Sequence, residues 1–344
     1  MTTVLLTGSS GYIGKHITLE LLKQGYKVRA SVRKLSKGEE ARAAVKPFLN
    51  QDIDLDKQLE FVELDLEKDA GWEEALNGID VLIHSASPFP IASPKDENEL
   101  IRPAVDGTLR ALKAAQSAGV KRVVLTSSNA AVYGCDLPEE KTAYDETMWT
   151  DINHPIGRVA YTKSKTLAEK AAWDFVQSHG NDIQFTTINP VLVLGAPLDK
   201  NFGSSMSVLE RIMKGKDPML PDLKFPVVDV KDVAKMHVDA IKTNSTIGER
   251  ILASSETVSF VQIAKLVKSL YPKSKAKSVL APTFIIKFLS FFDGEIKSVL
   301  PLLGKPMLTN NQKAKSLLGL NFISADEMIK GSAKYLVDNG FIKA

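Results

Sequence analysis

The 344-residue chain contains one cysteine, Cys135. A single thiol makes no internal disulfide and no cysteine-rich metal site, so no metal is expected and a reducing compartment fits. Its simplest role is that of a small, partly buried side chain. An excess of charge is missing too: 44 Lys and Arg oppose 41 Asp and Glu, for a net +3. No dense basic run and no basic residues interleaved with aromatics are present, so the composition carries no footprint for nucleic acid or an anionic membrane. Long apolar runs are also absent. The most apolar late stretch, residues 279–292, is broken by Pro282, Lys287 and Ser290. It is too short to span a bilayer and reads as an amphipathic helix that covers something. The first strand pattern begins near Val4, which leaves no room for a secretory leader, and no address or lipid motif follows Phe341. The expected location is the cytoplasm.

What the chain does have, at its start, is a short apolar run, Val4-Leu5-Leu6, followed by glycines at G-x-x-G-x-x-G spacing: Gly8, Gly11 and Gly14. A helical pattern, Ile13, Ile17 and Leu21, opens immediately after. Gly8 permits the tight turn after a strand, Gly11 lets a pyrophosphate approach the backbone, and Gly14 lets the helix pack close to the strand. In this strand-to-helix context the motif marks a dinucleotide site.

Further short strand-like runs alternate with helical stretches: residues 27–32, 61–64, 81–84, 122–125 and 185–188, with Gly25, Gly78 and Gly119 stopping helices before the next strand. That alternation is the signature of an α/β, doubly wound parallel sheet. After about Gly195 it gives way to loops and short helices punctuated by Pro197, Pro218, Pro221 and Pro226. Asp229 sits at a helix N-cap position, and residues 249–253 read as a strand that rejoins the sheet. The expected division is a Rossmann dinucleotide-binding domain over residues 1–195, to which 229–254 returns. A smaller, mostly helical C-terminal substrate-binding lobe takes 196–228 and 255–344.

The stretch after the second strand has no carboxylate before Glu39, where an NAD-selective site places one for the ribose hydroxyls. Arg33, Lys37 and Ser31 stand there instead, a planar fork, a second cation and a hydroxyl suited to a 2′-phosphate, so NADP(H) is the expected cofactor. Asp65, followed by Leu66, could accept the adenine amino group or cap a helix. Ser85, Ala86 and Ser87 after the fourth strand are small enough to let a ribose and nicotinamide lie on the backbone, and His84 before them reads as a satisfied, half-buried histidine.

The fifth strand runs into Thr126-Ser127-Ser128-Asn129, and a helical segment downstream carries Tyr161 and Lys165 at i and i+4, on one face. Carbonyl reduction needs an acid that delivers a proton as hydride arrives, and a phenol serves when a cation stabilises its phenolate. Tyr271 and Lys275 share the same spacing, but Pro272 disfavours a helix there.

Taken together, these segments resemble the extended short-chain dehydrogenase/reductases, of the branch that includes dihydroflavonol reductases and the yeast NADPH-dependent methylglyoxal and aldehyde/ketone reductases. The likeness spans nearly the whole chain. It is carried by residues 7–14, His84-Ser85-Ala86-Ser87-Pro88-Phe89, residues 123–128, Asp145-Glu146-Thr147-Met148-Trp149, residues 160–165 and Ile188-Asn189-Pro190. The resemblance implies that Ser128 holds the substrate carbonyl, with Ser127 ranked second. It implies that Tyr161 donates the proton and that Lys165 supports it while holding the ribose. Tyr12 and Ile13 would lie along the pyrophosphate, Arg33 and Lys37 at the 2′-phosphate, and the backbone near Pro190 and Val193 at the carboxamide.

The run Arg158-Val159-Ala160-Tyr161 departs from the cinnamoyl-CoA reductase pattern and argues against a CoA thioester. Tyr133 occupies the place where dihydroflavonol reductases carry an Asn. The expected activity is NADPH-dependent reduction of small aldehydes and ketones by a monomer or homodimer. Phe89, Tyr133, Met148, Phe202 and residues 208–213 would form the pocket wall, although each could equally fill core space. The alternatives are a nucleotide-sugar epimerase or dehydratase of the same fold and a noncatalytic NADP-sensing protein.

Overall fold

The computed structural model describes residues 1–87, 96–179, 182–292 and 294–343. Among these, ten strands form: β1 (Thr3–Thr7), β2 (Lys27–Val32), β3 (Leu59–Glu63), β4 (Val81–His84), β5 (Arg122–Thr126), β6 (Gln184–Pro190), β7 (Leu192–Leu194), β8 (Lys224–Asp229), β9 (Glu249–Ala253) and β10 (Glu256–Ser259). Seven of them make one sheet in the order β3-β2-β1-β4-β5-β6-β9. Every neighbouring pair in it is parallel. The doubly wound α/β fold read from the sequence is therefore the fold observed.

A parallel sheet is covered on both faces, so its strands are apolar on both sides. In β1, Val4 and Leu6 enter one core and Leu5 the other. The first core is completed by the helices Tyr12–Lys23 and Val230–Lys242, through Ile17, Leu21, Val233 and Met236. The second is completed by Asn98–Ser117 and Ala160–Ser178, through Ala111, Leu112, Ala172 and Phe175. The strand order reverses between β2 on one side of β1 and β4 on the other, which opens a crevice at the carboxyl ends of β1 and β4.

The proline-punctuated region holds more regular structure than loops. β8 lies between β10, antiparallel, and β7, parallel, in a second sheet. Pro226 argues against a central strand because it lacks an N–H. It fits because the β7 pairing begins only at Val227, one residue later, so no donor is needed from Pro226 on that side. The Asp229 carboxylate accepts the Lys231 N–H at 2.8 Å and caps the helix Val230–Lys242. Tyr271 ends the helix Phe260–Leu270, so Tyr271 and Lys275 share no helical face.

The apolar stretch 279–292 forms a helix only over Thr283–Leu289. It buries Ile286 and leaves Phe284 and Phe288 exposed, at 72% and 62%. With Val208, Ile212, Phe225 and Phe260, its Ile285, Ile286 and Leu289 enclose a largely apolar cavity of about 790 Å³. Among the described residues, no helix is long and apolar enough to cross a membrane.

Candidate active site

At the end of β1 the chain turns at Gly8, whose φ of +73° is left-handed. A Cβ there would also meet the Ala86 backbone at 2.8 Å, and one on Gly14 would strike the Gly8 carbonyl. Both positions therefore require glycine. Gly11 is the N-cap of the helix Tyr12–Lys23, and no side chain caps its first turn. The first N–H groups and the positive end of the helix are thus left to an anion.

One hydroxyl ties the two halves of the crevice together. Thr7 Oγ1 accepts the backbone N–H groups of Ser85 and Ala86, both at 3.1 Å, and lies 2.8 Å from His84 Nδ1. His84 is fully rather than half buried, and its Nε2 has no partner. Burial first, and the Lys165 charge second, lower its pKa to about 4, so the ring is neutral.

A cavity of about 480 Å³ opens here, lined by Gly8, Gly11, Ser31, Arg33, Asp65, Leu66 and Ser85 to Ser87, among others. Its shape, glycine floor and cation suit a phosphorylated dinucleotide. The Asp65 carboxylate accepts the Glu67 N–H at 3.1 Å, an Asx turn that still leaves the residue on the cavity wall. Lys37 is turned elsewhere: its ammonium binds Glu40 at 2.7 Å, one helical turn on, and it does not line the cavity. The Tyr12 hydroxyl donates to the Gly195 carbonyl at 2.7 Å, and burial raises its pKa well above the ordinary phenol value. Tyr12 thus offers its backbone rather than its side chain to the crevice.

The cluster with acid–base character sits beyond β5. Ser128 Oγ accepts the Ala130 N–H at 3.1 Å and lies 3.4 Å from the Tyr161 hydroxyl. Burial raises the Tyr161 pKa, with the Ser128 hydrogen bond partly opposing, so the phenol holds its proton at neutral pH. Lys165 Nζ stands 5.7 Å from the Tyr161 ring centre, and burial lowers its pKa to about 8. The same ammonium donates to Ser87 Oγ at 2.6 Å, which joins this cluster to the cavity. Ser127 faces the other way and donates to Glu169 at 2.5 Å.

Of the remaining candidates, Pro190 ends β6 and pairs with Ala253, while Val193 pairs with Val228 in the second sheet and is buried in the core. Ile13 also packs against that core. Tyr133 follows the short turn Asn129–Ala131; the residue is half-buried, and desolvation pushes its phenol up to about 12. Met148 packs with Val132 and Leu252, and Phe202 packs edge-on against Phe341, so both fill space between elements. Phe89 lies outside the described residues.

Several contributors escaped the sequence reading. Trp72, Leu100 and Pro103 line the cavity. Glu169 and Arg250 form a buried ion pair behind Ser127. Glu169 follows Tyr161 and Lys165 at i+8, and that shared helical face was the one available signal.

A glycine cradle at the switch point of a parallel sheet, next to a serine, tyrosine and lysine cluster, defines a dinucleotide-dependent Rossmann enzyme. The model of the NAD dependent epimerase/dehydratase family matches residues 4–252, and the chain belongs to that family. It is 29% identical to the NADPH-dependent methylglyoxal reductase of Saccharomyces cerevisiae over 97% of this chain and 98% of that one. It is 32% identical to a cinnamoyl-CoA reductase of Medicago truncatula over 98% and 96%. The crystal structure of a yeast methylglyoxal/isovaleraldehyde reductase complexed with NADPH matches with a TM-score of 0.80 at 28% identity, covering 99% of this chain and 100% of that one. These likenesses agree with the branch inferred from the motifs.

Proposed function

We propose that the chain is an NADPH-dependent reductase of small aldehydes and ketones. The observation that carries this reading is the Ser128–Tyr161–Lys165 cluster, joined through Ser87 to a glycine-floored cavity on whose wall Arg33 stands. Gly8, Gly11 and the first turn of the helix Tyr12–Lys23 would hold the pyrophosphate, and Arg33 the 2′-phosphate. Asp65 and Leu66 would bound the adenine, with the backbone of residues 85–87 beside the ribose. NADPH, when bound, supplies hydride.

The chain supplies the proton and the geometry. The Ser128 hydroxyl orients the carbonyl oxygen, and Tyr161, kept protonated by burial, donates to that oxygen as negative charge develops on it. The carbonyl becomes an alcohol and Tyr161 a phenolate, which the Lys165 ammonium stabilises. Relatives of similar identity include both small-carbonyl and CoA-thioester reductases, so overall identity does not choose the substrate. The run Arg158-Val159-Ala160-Tyr161, unlike the cinnamoyl-CoA reductase pattern, favours the small carbonyl.

The test is oxidation of NADPH and NADH against aliphatic diketones, aldehydes, aryl ketones, a CoA thioester and a nucleotide sugar. Turnover of small carbonyls with a marked preference for NADPH is expected. NAD retained through purification together with sugar-nucleotide turnover would identify an epimerase or dehydratase instead, and no turnover of any carbonyl would overturn the reading.

A further inference from the structure

Behind the catalytic cluster lies an ion pair sealed from solvent: Glu169 is 1% exposed and Arg250 8%, with Arg250 Nε 2.6 Å from Glu169 Oε1. We propose that this pair holds Ser128 in register with Tyr161, so that two charges which touch no substrate set the rate of turnover. The inference rests on the reading of Ser128 and Tyr161 given above.

The connections run to both partners. Glu169 lies two turns beyond Tyr161 on the same helix, Ala160–Ser178. Its Oε2 accepts the Ser127 hydroxyl at 2.5 Å and the Asn189 amide at 2.6 Å, and the same amide donates to the Ser128 carbonyl at 3.1 Å. Its Oε1 also accepts the Thr187 hydroxyl at 3.2 Å. The guanidinium then grips the chain on the far side of Ser128. It donates to the carbonyls of Met148 at 2.6 Å, Glu146 at 2.9 Å and Ala131 at 3.3 Å, and it lies 3.6 Å over the Trp149 ring. Ala131 closes the turn that Ser128 opens, through its N–H to the Ser128 carbonyl at 3.0 Å. The helix bearing the phenol and the turn bearing the serine are thus bonded to one carboxylate and its guanidinium.

Stability alone does not account for such a pair, because replacing a buried ion pair with apolar side chains of similar volume is often neutral or stabilising. What apolar groups lack is direction. Ionic hydrogen bonds fix the carbonyls and hydroxyls of four segments at defined angles, and a misplacement of about 1 Å at a reacting centre costs on the order of 100-fold in rate.

Glu169→Gln is expected to lower kcat about 10- to 100-fold while the Kd for NADPH stays within about threefold. The double variant Glu169→Met/Arg250→Met leaves the Met148, Glu146 and Ala131 carbonyls unpaired, so it is expected to melt below the wild type and to keep the low kcat even well below its own melting temperature. A merely structural pair would instead leave kcat near the wild-type value at any temperature where the fold is intact. Ser127→Ala, which deletes one hydroxyl and leaves the pair intact, is expected to lower kcat about three- to tenfold at unchanged NADPH affinity, and it decides the matter if the charge variants do not fold. Turnover within twofold of wild type in Glu169→Gln, in the double variant or in Ser127→Ala overturns the proposal. Tyr161→Phe, measured alongside, separates the two readings. If it is inactive while Glu169→Gln turns over normally, only the positioning role fails; if it is active, the assignment of the site itself fails.

Discussion

At the Gly8 end of the cleft the functional surface is mostly backbone: a left-handed glycine, an uncapped helix turn and the small residues 85–87. At the Ser128 end it is side chain held by side chain, with Tyr161 against Ser128, Ser127 on Glu169 and Glu169 on Arg250. The first kind of surface is made by short segments that each leave the end of a strand, between residues 8 and 87. The second needs partners brought from positions 127 to 250. The difference teaches that binding a cofactor and using it are separable properties of this fold, and substitutions can be chosen to separate them.

The largest separation is expected from Tyr161→Phe. General-acid catalysis is typically worth about 10²- to 10⁴-fold, so kcat should fall by that factor with NADPH affinity nearly unchanged, read by steady-state kinetics and fluorescence titration. Lys165→Met should blur the distinction, weakening both, because its ammonium joins the phenol to Ser87. Retention of more than about a tenth of kcat in Tyr161→Phe, with chemistry limiting, would remove the phenol from its role.

Acid should strain both ends at once. Burial lowers the pKa of His16 to about 3 and those of His84 and His237 to about 4. His237 carries its proton on Nδ1, toward the Val233 carbonyl at 2.7 Å, and accepts from Thr126 on Nε2. Between the folded values and the unfolded value of about 6.5 the unfolded chain binds more protons, so stability is lost as pH falls through that window. Asp232, raised to about 6 by burial, acts in the opposite sense below pH 6 and offsets part of the loss. Because a tenfold change in proton affinity corresponds to about 1.4 kcal/mol, the three rings by themselves lose on the order of several kcal/mol, and Asp229 and Glu146, also raised by burial, offset a further part of it. Thermal melts from pH 7 to 4.5 should show Tm falling steeply, and His237→Gln should flatten the curve. A level wild-type curve would contradict the neutral, buried state of these rings.

A smaller effect confined to the cofactor end is expected from Arg33→Ala. A charge-assisted contact is worth roughly 1.5–3 kcal/mol, so the KM for NADPH should rise about tenfold or more while that for NADH barely moves. Equal changes in both would detach Arg33 from the 2′-phosphate. The smallest is expected from Lys37→Ala, within about threefold on NADPH KM, because this exposed ammonium is paired with Glu40 and exposed pairs and charges contribute little. A tenfold effect there would show that Lys37 leaves Glu40 for the cofactor.

The same contrast explains what was legible in the sequence. The glycine turn, Arg33, Asp65 and residues 85–87 each directly follow a strand, so period and punctuation alone placed them at one edge of the sheet. Tyr161 and Lys165 were legible because four residues is one helical turn. Glu169, on the same face, was not, since in a helix rich in charge it reads as a solvated carboxylate until a strand delivers Arg250 to it. β8 was hidden by Pro226, whose missing N–H is harmless only because β7 is short. Lys37 is near Arg33 in sequence, but its i,i+3 spacing from Glu40 decides its partner.

The pairing of β6 with β9 has a consequence in time. Ile188 lies opposite Ile251, and between them the chain leaves the large sheet, builds β7 and β8 and returns. Strands β1 to β5, which frame the glycine turn, end at residue 126, whereas the last clamp on Ser128 arrives only with Arg250. Contacts so far apart in sequence form late. The helix Tyr12–Lys23, which presents its first turn to the cofactor, shares its core with Val230–Lys242 and so waits for the same part of the chain. During synthesis or refolding, NADPH binding and turnover should therefore emerge together, and nicotinamide fluorescence and catalytic rate, followed in one refolding experiment, should rise on a single time course.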